Sequence, residues 1–376
     1  MPVQRVGTSH LSKGWGNATL LRDLRDLRGH AQCGAFSSEI RMAGPNDHML
    51  IVAGASAGGM QALKKLVAQF PRDLPAPVFI VTHMSADTMG EALVRVLDEA
   101  GPLSCQHATD GQRFESGKIY VAPSDHHMLI DRGKILLTKG ARENRSRPAI
   151  DPLFRSAAVA YGSRVIGVIL TGYLDDGTSG MMAIKRCGGI CFAQDPNDAD
   201  YPDMPRSVIV NVGVDHCLPI EGMGALLSKL ARAKPARRKP PPKDVVIEAK
   251  IAQRVLSDLP SVETLGDQVP FNCPDCGGVL WQIKDGDLLR YRCHTGHAFT
   301  SAVLLSVQSA KIEETLWTAL RMFEERQNLI GAMNARPDGK SSKALSERIA
   351  DAQVHIDRIR AMLKANDKSV EIDVQS

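Results

Sequence analysis

The chain has 376 residues, 43% hydrophobic, 23% charged and 5% aromatic, the composition of a globular protein with room for two or three domains. Its net charge of +4 sits largely in short stretches, which argues against a nucleic-acid partner. No apolar run is long enough to span a bilayer, no secretory signal is recognisable, and the eight cysteines lack a disulfide spacing, so a cytoplasmic protein without membrane insertion is expected.

Residues 1–47, with Arg22, Arg25 and Arg28 followed by Gly and Ser, are expected to form a flexible arm, and Met42 is an alternative start. From His48 the pattern changes. Met49–Ala53, Pro77–Thr82, Lys118–Ala122, Val165–Leu170 and Ile190–Ala193 are short Val/Ile-rich runs, and helical patterns fill Met60–Phe70, 88–99, 152–161 and 178–187. Continuous apolar strands alternating with helices predict an α/β domain over 48–231, a doubly wound, mostly parallel sheet covered on both faces. His127–Asp131 and Lys134–Thr138, joined around Arg132-Gly133, read as a β-hairpin.

Three polar segments follow strands of this sheet. Gly54-x-Ser56-x-Gly58 lies between the first strand and the first helix, a small-residue turn that exposes a serine hydroxyl beside helix N–H groups. A Gly-rich phosphate loop or a plain turn is the competing reading of this motif. The next strand ends in His83. One strand–helix–strand unit separates it from Ser56, so adjacent parallel strands bring both to one sheet edge, with His83 as general base. The strand Val165–Leu170 runs into Asp175-Asp176-Gly177. One carboxylate there can orient the imidazole, and helix capping is the alternative for either. The order Ser…His…Asp differs from that of the α/β-hydrolase fold, which argues against an ordinary small-molecule esterase.

Residues 232–245 begin with six Lys/Arg and four Pro in 232–243, without an acid, and read as a semi-extended linker. A large core shared across it is not expected, so a chain ending near Ala231 is expected to retain the site. Within 268–300, Cys273-x-x-Cys276 and Cys293-x-x-x-His297 are chelating pairs separated by 16 residues. This spacing suits a structural zinc ribbon, with a metal-free Cys-x-x-Cys turn as the alternative. His297 is preferred to His294, which directly follows Cys293 and chelates poorly. A helical hairpin is expected over 301–365, broken around Arg336-Pro337-Asp338-Gly339. Ile312, Leu316, Leu320 and Phe323 would meet Leu345, Ile349, Ile356, Ile359 and Leu363, or offer a docking surface.

Six ordered blocks then carry a resemblance. Gly-Ala-Ser-Ala-Gly-Gly (54–59), Thr-His-Met (82–84), Lys-Ile-Tyr-Val-Ala-Pro (118–123), Arg-Pro-Ala-Ile-Asp-Pro-Leu-Phe (147–154), Ile-Leu-Thr-Gly with Asp-Asp-Gly and Gly-Met (169–181) and Asp-Pro with Met-Pro (195–205) stand in 48–230. Together they resemble the catalytic domain of chemotaxis-type protein-glutamate methylesterases. The resemblance implies a triad of Ser56, His83 and the Asp directly before Gly177, hence Asp176, with no cofactor for catalysis. It implies hydrolysis of glutamyl methyl esters on a methylated chemoreceptor or related helical signalling protein, with release of methanol, and deamidation of particular glutamines. Ala57, Ser85 and Tyr173-Leu174-Asp175 depart from the family's usual Thr, Pro and Met-Gly-Asn. These departures bear on the pocket and so on the partner. The 47 residues before the match are too few for a receiver domain of about 100 residues, so a stand-alone catalytic domain with a C-terminal extension is expected. The alternative is a catalytically silent signalling adaptor that binds a partner through its zinc module and helices.

Overall fold

In a computed structural model of the chain, the described residues are 48–83, 90–237, 239–253, 259–286, 288–334 and 342–373. The arm expected over 1–47 and the break at Arg336-Pro337-Asp338-Gly339 lie outside them. Strands β1 (Leu50–Ala55), β2 (Val78–Thr82), β3 (Ser104–His107) and β4 (Lys118–Val121) precede a hairpin of β5 (His127–Asp131) and β6 (Lys134–Thr138). Then come β7 (Val165–Ile169), β8 (Ile190–Gln194) and β9 (His216–Leu218). Except for the hairpin, these strands form one seven-stranded sheet in the order β3-β4-β2-β1-β7-β8-β9. Every pairing in it is parallel.

Pleating divides the strand side chains between two cores. Ile51, Ala53, Val78, Ile80, Ile166 and Val168 face one side and pack with Leu63 and Leu66 of α1 (Gly59–Val67), Leu93 and Leu97 of α2 (Gly90–Ala100), and Met223 and Leu227 of α6 (Ile220–Ala231). Leu50, Val52, Phe79, Val81 and Ile169 face the other side. There they meet the hairpin, Leu153 and Phe154 of α3 (Ile150–Tyr161), Met181 and Ile184 of α4 (Thr178–Arg186), and Met204 and Val208 of α5 (Asp203–Val212). Burial of both faces explains why the central strands read as unbroken apolar runs.

The segment expected to be a spacer lies against this domain. Ser163 Oγ donates to the Ala236 carbonyl, Arg186 pairs with Asp244 at 2.6 Å, and Val245 is buried in the second core. Helix α7 (Lys243–Gln253) packs on α3, and with α8 (Leu259–Glu263) it forms an apolar contact of Ile251 and Val262 with Trp281. Strands β10 (Asp267–Asn272), β11 (Val279–Asp285), β12 (Leu288–Cys293) and β13 (Ala298–Thr300) make an antiparallel sheet. The chain continues into α9 (Ser301–Asn334) and α10 (Lys343–Asp373), where Leu316, Leu320 and Phe323 pack against Ile356, Ile359 and Leu363. Ile312 departs from the expected stripe: it is 58% exposed. No helix among the described residues is long and apolar enough to cross a membrane.

Candidate active site

Residues Ala55 and Thr82 are register partners of β1 and β2, so Ser56 and His83 leave adjacent strands side by side at the carboxyl edge of the sheet. Strand β7 flanks β1 on the other side and delivers the Asp175-Asp176 turn to the same edge. The Ser56 turn is held from β7: Ser56 N–H donates to the Thr171 carbonyl at 2.9 Å, and Thr171 Oγ1 donates to the Ala57 carbonyl at 3.0 Å. Its left-handed residue is Gly58, at φ +72°, which caps α1. A side chain there would be strained in its backbone and would press on Asp200 at 2.9 Å.

The imidazole of His83 bridges the two other groups. Its Nδ1 stands 3.1 Å from Ser56 Oγ and its Nε2 2.7 Å from Asp176 Oδ2. With Asp176 ionised, Nε2–H donates to the carboxylate and Nδ1 is left to accept the serine proton. The ring is therefore turned over relative to the usual serine triad, where Nε2 faces the nucleophile. The sequence carries no signal for that choice.

Asp176 is buried, and its carboxylate is surrounded by donors. Oδ2 accepts from Ile150 N–H at 2.7 Å, and Oδ1 accepts from Asn144 Nδ2 and Gly177 N–H, each at 3.0 Å. Burial opposes its ionisation, but the His83 hydrogen bond and charge, with these donors, hold its pKa below the ordinary carboxylate value. Asp151 behaves oppositely: burial, then the Asp176 charge, pushes its pKa up to about 8. The two carboxyls share Asn144 Nδ2, which also donates to Asp151 Oδ2 at 3.2 Å. Asp175 points elsewhere, to Thr300 Oγ1 at 2.8 Å, and burial raises its pKa to about 6. Asn144, Asp151 and Thr300 were not singled out in the sequence. Thr300 lies 156 positions from Asn144, and only the tertiary fold brings them together.

A cleft of about 190 Å³ opens beside the serine, lined by Ser56, Gly58, Gly59, Met60, Gln61, Thr82, His83 and Leu93. It lies at the amino end of α1, whose N–H groups and dipole favour a developing negative charge.

In the C-terminal sheet, the donor atoms of Cys273, Cys276, Cys293 and His297 all lie within 4.8 Å of one another. Cys276 Sγ and Cys293 Sγ are 3.7 Å apart, and His297 Nδ1 is 3.7 Å from Cys273 Sγ and 3.5 Å from Cys293 Sγ. No disulfide joins these cysteines. Zn–S bonds of about 2.3 Å in a tetrahedron place two sulfurs a little under 4 Å apart, so the cluster fits a structural metal. His294 is exposed and outside the cluster.

Comparison with known proteins places these features in one family. A profile described as CheB methylesterase matches residues 51–227. A protein of Leptospira interrogans, provisionally named protein-glutamate methylesterase/protein-glutamine glutaminase, is 39% identical over 181 residues, covering 48% of this chain and 93% of that protein. A protein-glutamate methylesterase/protein-glutamine glutaminase of Methanosarcina mazei is 37% identical over 49% of this chain and 52% of its own length. The match thus spans about half of several such relatives. The crystal structure of the Thermotoga maritima CheB methylesterase catalytic domain aligns at 34% identity with a TM-score of 0.47, covering 49% of this chain and 98% of that one. Since the matched span holds the strand edge that carries Ser56, His83 and Asp176, and nearly the whole of a relative 39% identical is covered, the chain belongs to the CheB methylesterase family.

Proposed function

We propose that the chain is a serine hydrolase of glutamyl methyl esters on a methylated chemoreceptor or related helical signalling protein in the cytoplasm. The observation that carries this reading is the hydrogen-bonded series Ser56–His83–Asp176 beside a cleft at a helix amino terminus. Ser56 Oγ attacks the ester carbonyl as His83 Nδ1 takes its proton, while Asp176 holds the ring and stabilises the imidazolium. The N–H groups opening α1 stabilise the oxyanion. The proton on His83 passes to the departing methoxide, which leaves as methanol. Water, deprotonated by His83, then cleaves the glutamyl-serine ester to give glutamate and free Ser56. Glutamine enters the same cycle with ammonia as the leaving group, in keeping with the second activity in the relatives' names.

Cys273, Cys276, Cys293 and His297 would hold a zinc ion, whose four protein ligands make it structural rather than catalytic. The test of the esterase reading is fluorophosphonate labelling of the folded chain, with the modified peptide mapped. Label on Ser56, together with methanol release from a methylated receptor, is expected. A folded chain that fails to label overturns it.

A further inference from the structure

The Cys/His sheet does not hang from the catalytic domain as a separate appendage. Strand β13 lies along residues 142–144: Ala298 N–H donates to the Arg142 carbonyl at 3.3 Å, and Asn144 N–H donates to the Ala298 carbonyl at 2.8 Å. Thr300 N–H donates to Asn144 Oδ1 at 3.2 Å, while Thr300 Oγ1 donates to Asp175. Beneath this contact runs a buried ion network. Arg292 Nη2 reaches Glu143 and Glu248, each at 3.1 Å; Arg290 holds Glu248 at 2.8 Å; and Arg155 pairs with Glu143.

Two of the four cluster residues adjoin this interface. Cys293 follows Arg292, and His297 precedes Ala298. A metal that fixes Cys293 and His297 therefore fixes the strands that carry Arg292 and Thr300. At the other end, Asn144 donates to Asp176, the carboxylate that receives His83. Asn144 stands at φ +48°, a conformation with little intrinsic support outside glycine and asparagine. Its backbone N–H and amide oxygen are bonded across the interface, to Ala298 and Thr300, while its amide nitrogen donates to Asp151 and Asp176 within the catalytic domain, and together these bonds hold it there.

We propose that the Cys/His module is a positioning element of the esterase site: it fixes Asn144 through Ala298 and Thr300, and Asn144 fixes the Asp176 carboxylate against His83. This rests on the methylesterase reading. Asn144 touches neither substrate nor reacting atoms and acts through Asp176. Its loss is expected to lower kcat while leaving the binding of a small ester unchanged.

The test uses the full chain with p-nitrophenyl acetate. Asn144→Gly removes the amide while tolerating the backbone angle. It is expected to lower kcat about 10- to 100-fold with KM within about twofold and the zinc content unchanged. Chelation of zinc from the parent should reproduce the loss, re-addition of Zn²⁺ alone should reverse it, and chelation of Asn144→Gly should add little, because both act through one contact. Where chelation unfolds the chain, Asn144→Gly carries the test, since it leaves the ligands intact. A parent labelled at Ser56 whose kcat is indifferent to Asn144→Gly overturns the proposal alone. So does chelation that lowers parent and variant by the same factor. A folded parent that does not label at Ser56 overturns the esterase reading, and this proposal with it.

Discussion

Asp175 and Asp176 are adjacent in sequence, yet their surroundings assign them different work. Asp176 receives His83, Ile150, Asn144 and Gly177, whereas Asp175 receives Thr300. Replacing Asp176 by Asn puts a donor where His83 Nε2–H needs an acceptor and favours the wrong ring tautomer. Asp176→Asn, like Ser56→Ala and His83→Ala, should therefore lower ester hydrolysis by about 10³- to 10⁴-fold, with strongly non-additive effects in combination. Asp175→Asn keeps an acceptor for Thr300 and should be much milder. Steady-state kinetics of the four variants check this, and the reverse ranking of the two aspartates would reassign the carboxylate. The juxtaposition of Ser56 and His83 was legible because one strand–helix–strand unit dictates it. The choice between the aspartates was not legible from spacing, since both stand at one strand end; the family resemblance pointed to Asp176. The His83 ring orientation and the Asn144 bridge were legible from neither, because they depend on contacts far apart in the chain.

At the scale of elements, the buried charges between α3, α7 and β12 matter most. Burial opposes ionisation of Glu143 and Glu248, but the facing arginines outweigh it and hold both carboxyls below their ordinary range. In the sequence, Arg290 and Arg292 alternate with apolar residues, a pattern that does not by itself mark them as buried; in the fold both are. The edge strands β3 (Ser-Cys-Gln-His) and β9 (His-Cys-Leu) were missed for a related reason, being short and partly polar. Arg292→Met should lower stability to urea by about 3–5 kcal/mol, the cost of breaking a buried pair from one side. Asp151 makes stability depend on pH in a direction that can be read off its surroundings. Its folded pKa of about 8 exceeds the ordinary 3.8, so the native state keeps a proton that the unfolded chain releases. That contribution is complete below pH about 4 and is lost as pH rises to about 8. The lowered Asp176 contributes in the opposite sense, losing its share as acid protonates it. Urea midpoints measured from pH 4 to 8 should thus carry a declining component that Asp151→Asn removes; an unchanged slope in the variant would show that Asp151 is not its source.

For the molecule as a whole, the boundary near Ala231 no longer separates an independent enzyme from an appendage. A chain ending there loses Arg290 and Arg292 opposite the catalytic domain, and with them the partners of Asn144 and Asp175 at Ala298 and Thr300. Buried Glu143 is left with Arg155 alone among its arginine partners. The helical hairpin is a different matter. Its own stripe is buried between α9 and α10, while Val303 and Leu304 at the start of α9 belong to the core of the Cys/His sheet. Two cuts therefore distinguish two roles. A chain ending near Ala231 should lose about 10- to 100-fold in turnover of p-nitrophenyl acetate and unfold at lower urea. A chain ending at Ala310 keeps β12, β13 and the first turns of α9, and should hydrolyse the small ester within about twofold of the full chain. If the exposed flanks of α9 and α10, with Trp317 and Met362, meet the helices of a methylated receptor, the second chain should still release methanol from that receptor more slowly. Remote contacts accelerate only the substrate that reaches them. Equal turnover of receptor by the full chain and the chain ending at Ala310 would remove the hairpin from substrate recognition, and full small-ester activity in the chain ending near Ala231 would sever the Cys/His sheet from the site.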